Sequence, residues 1–255
     1  MATVVFFKGP NMELFPILIV LAIFVVAVLY SSVGHGGASG YLAVMAFLAV
    51  APGVTRPTAL VLNLFVASIA TFQFWRAGHF SWRLFWPFAV TSIPFAFIGG
   101  SITLPTNVYR PVLGAVLLFA AFRLAWSFTK DVPEIKRPNL VSALMIGAGI
   151  GLLSGLVGIG GGIFLTPVLL LMNWSETKTA AGVSALFILV NSASGLAGSY
   201  EQVSMLPANS LAWIGAAIAG GVVGSLLGAK KLESLMLRRV LAAVLVFAAV
   251  KLIFI

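Results

Sequence analysis

The sequence predicts an all-α polytopic membrane protein. About ten segments form two inverted five-segment repeats, each with a short broken helix. Three observations predict this. Apolar residues make up 61% of the 255-residue chain and charged residues only 8%, where a soluble domain carries about 25% charge. Apolar runs near the ~20 residues of a spanning helix recur through both halves. A thirteen-residue run of the first half returns in the second.

Taken in order, the apolar segments of the first half are 14–32, 38–51, 57–75, 84–104 and 109–128. Those of the second half are 140–157, 162–174, 177–199, 207–228 and 236–255. The first is long for a signal peptide and lacks a small-x-small cleavage site, so it is read as a membrane helix. The repeats occupy 1–128 and 140–255. Between them lies 129–139, the most polar stretch, read as an exposed linker. The second and seventh segments are short, and each directly follows a glycine-rich stretch. One is Ser32-Val33-Gly34-His35-Gly36-Gly37-Ala38-Ser39-Gly40 and the other is Gly155-Leu156-Val157-Gly158-Ile159-Gly160-Gly161-Gly162. Adjacent glycines weaken a helix and let the backbone approach a ligand. About thirteen helical residues span only ~20 Å, short of the ~30 Å hydrocarbon core. An extended glycine stretch in series completes the crossing, provided that protein or a water-filled cavity surrounds it.

The repeat is explicit. Val112 to Leu124 returns 128 positions later as Val240 to Leu252, with nine of thirteen residues identical. The same offset pairs Asn63 with Asn191 and Arg110 with Arg238, while the glycine stretches align at an offset of 124 (Gly34 with Gly158, Gly36 with Gly160). Charge suggests that the halves are inverted. The loop 76–83 carries Arg76 and Arg83, and its counterpart around Tyr200-Glu201-Gln202 carries no cation. The loop 103–110 carries only Arg110, and its counterpart 230–239 carries two lysines and two arginines. Cationic loops face the cytoplasm. The termini are therefore expected in the periplasm, and the linker, Arg76, Arg83, Lys178, Lys230, Lys231, Arg238 and Arg239 on the cytoplasmic side of the inner membrane. Lys8, Arg56 and Arg110 fall outside, with Lys251 near the C-terminal end. Eight crossings with two re-entrant helices are the alternative architecture. That arrangement places either the 230–239 cluster or the linker outside.

The formal charge of +9 fits basic cytoplasmic loops rather than nucleic acid. No enzyme is indicated. The six acids, Glu13, Asp131, Glu134, Glu176, Glu201 and Glu233, all lie in loops or at segment ends, which argues against a sodium site or a carboxylate proton relay in the membrane. No cluster has metal-ligand spacing, and the chain has no cysteine. The Gly-x-Gly-Gly-Gly string lacks the Lys-Ser/Thr of a phosphate loop. No cofactor is expected.

The N-terminus of a short helix presents free N–H groups and partial positive charge. It is an anion site that needs no cationic side chain. In an inverted pair, two such N-termini can face one anion. The expected substrate-binding residues are therefore Gly34, His35, Gly36, Gly37, Ser39, Asn63, Gly158, Gly160, Gly161, Gly162 and Asn191. Glycines that merely pack helices, and asparagines that merely bond across them, are the plainer readings. Ser31, Ser32, Ser154, Thr166, Ser184, Ser192 and Ser194 rank lower. His35 breaks the symmetry, because Ile159 is its counterpart. An ordinary histidine titrates near neutrality, so His35 is a candidate for proton coupling, against a neutral imidazole bonded to a nearby carbonyl. His79 is read as interfacial. Arg56 and Arg110 are placed at the outer mouth and Arg76 and Arg83 at the inner one, attracting anions or snorkelling to the interface.

The run Gly155 to Gly162, leading into Thr166-Pro167, resembles the signature of the sulfite exporter TauE/SafE family of membrane transporters. Ser31-Ser32-Val33-Gly34-His35-Gly36-Gly37 is similar to a first-half variant of it, and the repeated Val-Leu-x-Ala-Val-Leu-x-Phe-Ala-Ala run fits the same family. The resemblance covers nearly the whole chain. It implies movement of small anions, notably sulfite, sulfoacetate and related organosulfur compounds, often by export. His35 and Ala38 depart from the plainer second-half pattern, so equal contributions from the halves are not expected. The expectation is alternating-access transport of a small sulfur-containing anion. An anion channel and a non-transporting membrane scaffold are the alternatives. The partners are the anion and the lipid bilayer, with no nucleic acid, and glycines on outward faces would suit a homodimer.

Overall fold

A computed structural model describes residues 14–47, 50, 52–125, 135–203, 206, 210–230, 246, 249, 250 and 253. Its described residues form ten helices and no strand. They are α1 (Leu14–Ser31), α2 (Ala38–Phe47), α3 (Pro52–Arg76), α4 (Trp82–Ser101), α5 (Thr106–Ala125), α6 (Leu140–Val157), α7 (Gly162–Leu171), α8 (Thr177–Gly198), α9 (Tyr200–Val203) and α10 (Ser210–Lys230). Among them, α3, α4, α6, α8 and α10 are long and apolar enough to cross a membrane. The tenth expected segment, 236–255, lies outside the described residues as a helix. So do residues 129–134 of the linker and Lys8, Glu13, Asp131, Glu134, Lys231, Glu233, Arg238, Arg239 and Lys251.

The described part of α2 has 10 residues, and α7, also 10 residues, is shorter than the expected 162–174. α7 stops because Asn173 adopts φ 54° and the Trp174 N–H donates back to the Leu169 carbonyl at 2.8 Å. A left-handed residue after the last turn ends a helix in this way. The one-turn helix α9 was not expected from the sequence.

Glycine stripes set how the long helices pair. On α6, Gly147, Gly151 and Gly155 lie against the backbone carbonyls of Phe88, Ser92 and Ala96 on α4. On α10, Gly220, Gly224 and Gly228 lie against the carbonyls of Phe24, Val28 and Ser32 on α1. A spacing of four puts each stripe on one helix face, and lacking a Cβ it admits the partner's backbone. These stripes thus pack within one chain. Residue numbers rise together in both pairs, so α4 runs with α6 and α1 runs with α10. The central pair runs the other way: on α3 and α8, Leu60 faces Gly195, Asn63 faces Ser192 and Phe74 faces Gly182. Contacts reciprocate between the halves. α4 lies on α8 as α10 lies on α3, and α7 lies on α8 as α2 lies on α3.

The connections tie the ends together. The Lys136 N–H donates to the Asn173 carbonyl at 2.8 Å, linking the start of α6 to the end of α7. The His79 carbonyl, between α3 and α4, packs on Gly182 near the start of α8. Exposed Trp75 and Trp82 flank exposed Arg76 and Arg83. That combination suits a membrane–water interface.

Candidate functional site

The site is built where the chain leaves α1 and α6. In the second break, Gly158 ends α6 with φ 88°, its N–H donating to the Ser154 carbonyl at 2.8 Å. Gly160 and Gly161 follow at φ 73° and 79°, and Gly161 is the N-cap of α7. Three left-handed positions in four residues are a backbone that only glycine enters without strain. The first break repeats this at Gly34 (φ 75°) and Gly37 (φ 95°).

Both breaks meet at one side chain. Asn63, fully buried on α3, accepts the Ala38 N–H through Oδ1 at 3.1 Å. Its Nδ2 donates to the Ile159 carbonyl at 3.4 Å and to Ser192 Oγ at 3.3 Å. Gly36 lies directly against Asn63 Oδ1 and Gly160 against Asn63 Nδ2, and both lie against Ile188 Cγ2 of α8. Each glycine hydrogen here occupies space that a methyl group could not. A Cβ on Gly160 would sit 2.7 Å from Ile188 Cγ2. Gly162 also packs on Ile188, Gly161 packs on Phe187, and Gly34 packs on Ala181.

The breaks differ at two equivalent amides, 35 against 159 and 38 against 162, and are alike at 36, 37 and 39 against 160, 161 and 163. In the first, Gly34 and His35 donate to the carbonyls of Ser31 and Tyr30, and Ala38 donates to Asn63. In the second, the N–H groups of residues 159 to 163 donate to no protein acceptor among the described residues. The last two belong to the first turn of α7, where no intrahelical partner exists. Successive amides in left-handed and helical conformations form a concave anion-binding nest.

His35 is partly buried. Its Nδ1 lies 2.9 Å from the Val33 carbonyl, so Nδ1 carries a proton. Its Nε2 lies 3.5 Å from Thr166 Oγ1 on α7, and Thr166 donates to Ser184 Oγ on α8 at 2.8 Å. The imidazole therefore links the first break to the helix that follows the second. The Asn191 side chain, fully buried, donates to the Phe187 carbonyl one turn back at 2.8 Å, while its Oδ1 has no partner among the described residues. Ser154 Oγ, buried beside Gly161, also has no partner.

Several expected residues point elsewhere. Ser39 donates to the Tyr30 hydroxyl at 2.8 Å. Ser31 and Ser32 donate to carbonyls of their own helix, Ala27 and Leu29. Ser194 donates to the Ile93 carbonyl of α4 at 2.6 Å. Two residues lie at the breaks in places that the sequence reading did not give them. Ile188 wedges between the breaks, and an isoleucine in an apolar helix sends no signal in sequence. Arg56, expected at the outer mouth, is instead buried, at 3% exposure. Its spacing of seven from Asn63 is two helical turns on one face, and that was the available clue.

Comparisons with known proteins place the chain among membrane transporters. The family model for sulfite exporter TauE/SafE matches residues 19–252. A "Probable membrane transporter protein" of Sinorhizobium fredii is 41% identical over 237 residues, covering 91% of this chain and 96% of the relative. Another "Probable membrane transporter protein", of Methanocaldococcus jannaschii, is 26% identical over 210 residues, covering 79% and 76%. No solved structure matches. The chain belongs to the sulfite exporter TauE/SafE family of membrane transporters.

Proposed function

We propose that the protein moves a small sulfur-containing anion, such as sulfite or sulfoacetate, across the inner membrane by alternating access. The anion sits at the helix N-termini of the two glycine breaks. The observation that carries this reading is the convergence of Gly36 and Gly160 on Asn63 and Ile188. It brings the start of α7, with its unpaired amides, to the crossing of α3 and α8. An oxyanion there receives several N–H groups without a cationic side chain. Asn191 Oδ1 is a buried acceptor still in want of a donor, and a singly protonated oxyanion such as hydrogensulfite carries one.

The inverted repeat belongs to the same proposal. α3 and α8 hold equivalent places in the two halves and run antiparallel. That course supports an axis in the membrane plane and ten crossings. With α2 and α7 re-entrant, α3 and α8 would run the same way. The bond between Lys136 and Asn173 also supports a crossing by α7, since a re-entrant α7 would end on the face opposite the start of α6. The linker is then cytoplasmic and the termini periplasmic. Rocking of one bundle against the other exposes the site alternately.

Sulfite flux into proteoliposomes tests the site. Gly160→Leu and Gly36→Leu should abolish flux while leaving monodisperse protein. Unchanged flux in both would overturn the assignment.

A further inference from the structure

Arg56 is a buried cation with no carboxylate paired to it among the described residues. It enters from the start of α3 at 3% exposure. Its Nη1 donates to the Ile102 carbonyl at 2.9 Å, and its Nη2 donates to the carbonyls of Gly99, at 3.1 Å, and Gly100. These are the last carbonyls of α4, and a cation suits the negative end of a helix. Capping by partial charges does not neutralise a full one. A buried ion ordinarily needs a counter-ion, because its desolvation otherwise goes uncompensated.

Two further observations say where that counter-ion belongs. Arg56 Nε, also buried, donates to nothing among the described residues. The side chain lies against the second break: a Cβ on Gly158 would sit 2.9 Å from Arg56 Cγ, two bonds from that nitrogen. Asn63, seven positions on, bonds the next carbonyl of the same break, Ile159. One face of α3 therefore holds residues 158–159 at two points, one cationic and one neutral. In the other half Gly34, the counterpart of Gly158, packs on Ala181 instead. The cation occurs on one side of the pseudo-symmetric pair only.

We propose that Arg56 is an anion-binding residue of the second break, and that the transported anion is its counter-ion. The unpaired Nε–H meets the anion as it enters or leaves the amides of residues 159–163. The two carbonyl-bound nitrogens hold the guanidinium in place. This rests on the anion-transport reading above and assigns the charge that reading lacks.

The test separates the two. Thermal stabilisation of detergent-solubilised protein is titrated with sulfite, sulfate and chloride, for wild type, R56K and R56Q. Arg56 as counter-ion predicts that R56Q weakens the anion effect about tenfold or more, as expected for a lost charge-assisted hydrogen bond, and that R56K restores most of it. A purely structural cap predicts that both variants lower the anion-free melting temperature while anion affinity stays at the wild-type value, and that result overturns the proposal. Stabilisation of wild type by chloride but by neither sulfur oxyanion, lost in R56Q, sinks the substrate reading and keeps Arg56. No anion effect in wild type sinks both. Should R56Q not fold, the arginine Nε–H resonance of wild type, assigned by its loss in R56K, should shift saturably with sulfite. An unmoved resonance overturns the proposal.

Discussion

The two glycine breaks share a backbone plan and differ in what they leave open. In the first, the protein's own acceptors take the amides of residues 35 and 38, while those of Gly36, Gly37 and Ser39 donate to no protein acceptor among the described residues. Asn63 Oδ1 occupies the Ala38 amide at the start of α2, and His35 ties the loop to Val33 and to Thr166. The second leaves the amides of residues 159–163 without acceptors among the described residues and has Arg56 beside it. In the proposed reading, the first break acts as a brace and the second as a receptor. The carboxamide oxygen of Asn63 does for the first break what an anion would do for the second.

That contrast is most sharply broken at the asparagines. Asn63→Leu orphans the buried Ala38 N–H and the Ile159 carbonyl, a loss of about 1–3 kcal/mol for each group. It should lower the melting temperature markedly and abolish flux. Asn191→Leu removes one bond to a helix carbonyl together with an unpaired acceptor. Its stability should change little while flux is still lost. Equal destabilisation by the two variants would deny the division into brace and receptor.

Gly160→Ala comes next. The residue sits at φ 73° and faces Ile188, so about 1–2 kcal/mol of left-handed strain adds to overlap inside the receptor. Sulfite flux should fall at least tenfold, and pairing with Ile188→Ala should recover part of it. His35→Gln tests the brace. Flux driven by a pH gradient should lose its dependence on pH between about 5 and 8, where histidine changes charge, and flux driven by sulfite alone should persist. An unaltered pH profile removes His35 from coupling. Thr166→Val is the mildest: it loses the 2.8 Å bond to Ser184, worth about 1 kcal/mol, and flux should stay near wild type.

Much of the scaffold was legible because membrane helices announce themselves by length and apolarity, and because the chain repeats. The glycine breaks, their short following helices and the central importance of Asn63 all carried sequence signals. The unlike behaviour of Asn63 and Asn191 did not, since identical residues at equivalent positions differ only in the neighbours that folding brings. The bond from Ser39 to the Tyr30 hydroxyl also carried no sequence signal. Arg56 looked like a mouth residue because exposure cannot be read from a helix start. Only the packing of α4 against α6 places the last carbonyls of α4 and Gly158 around its side chain.

The account stands on one location, the unpaired amides at the start of α7. Selenite is an electron-dense analogue of sulfite, so a structure of the protein with bound selenite would show that location directly. The account predicts density within hydrogen-bonding distance, about 2.7–3.2 Å, of the amide nitrogens of residues 160–163. Selenite bound instead at the first break, or away from both, would contradict it.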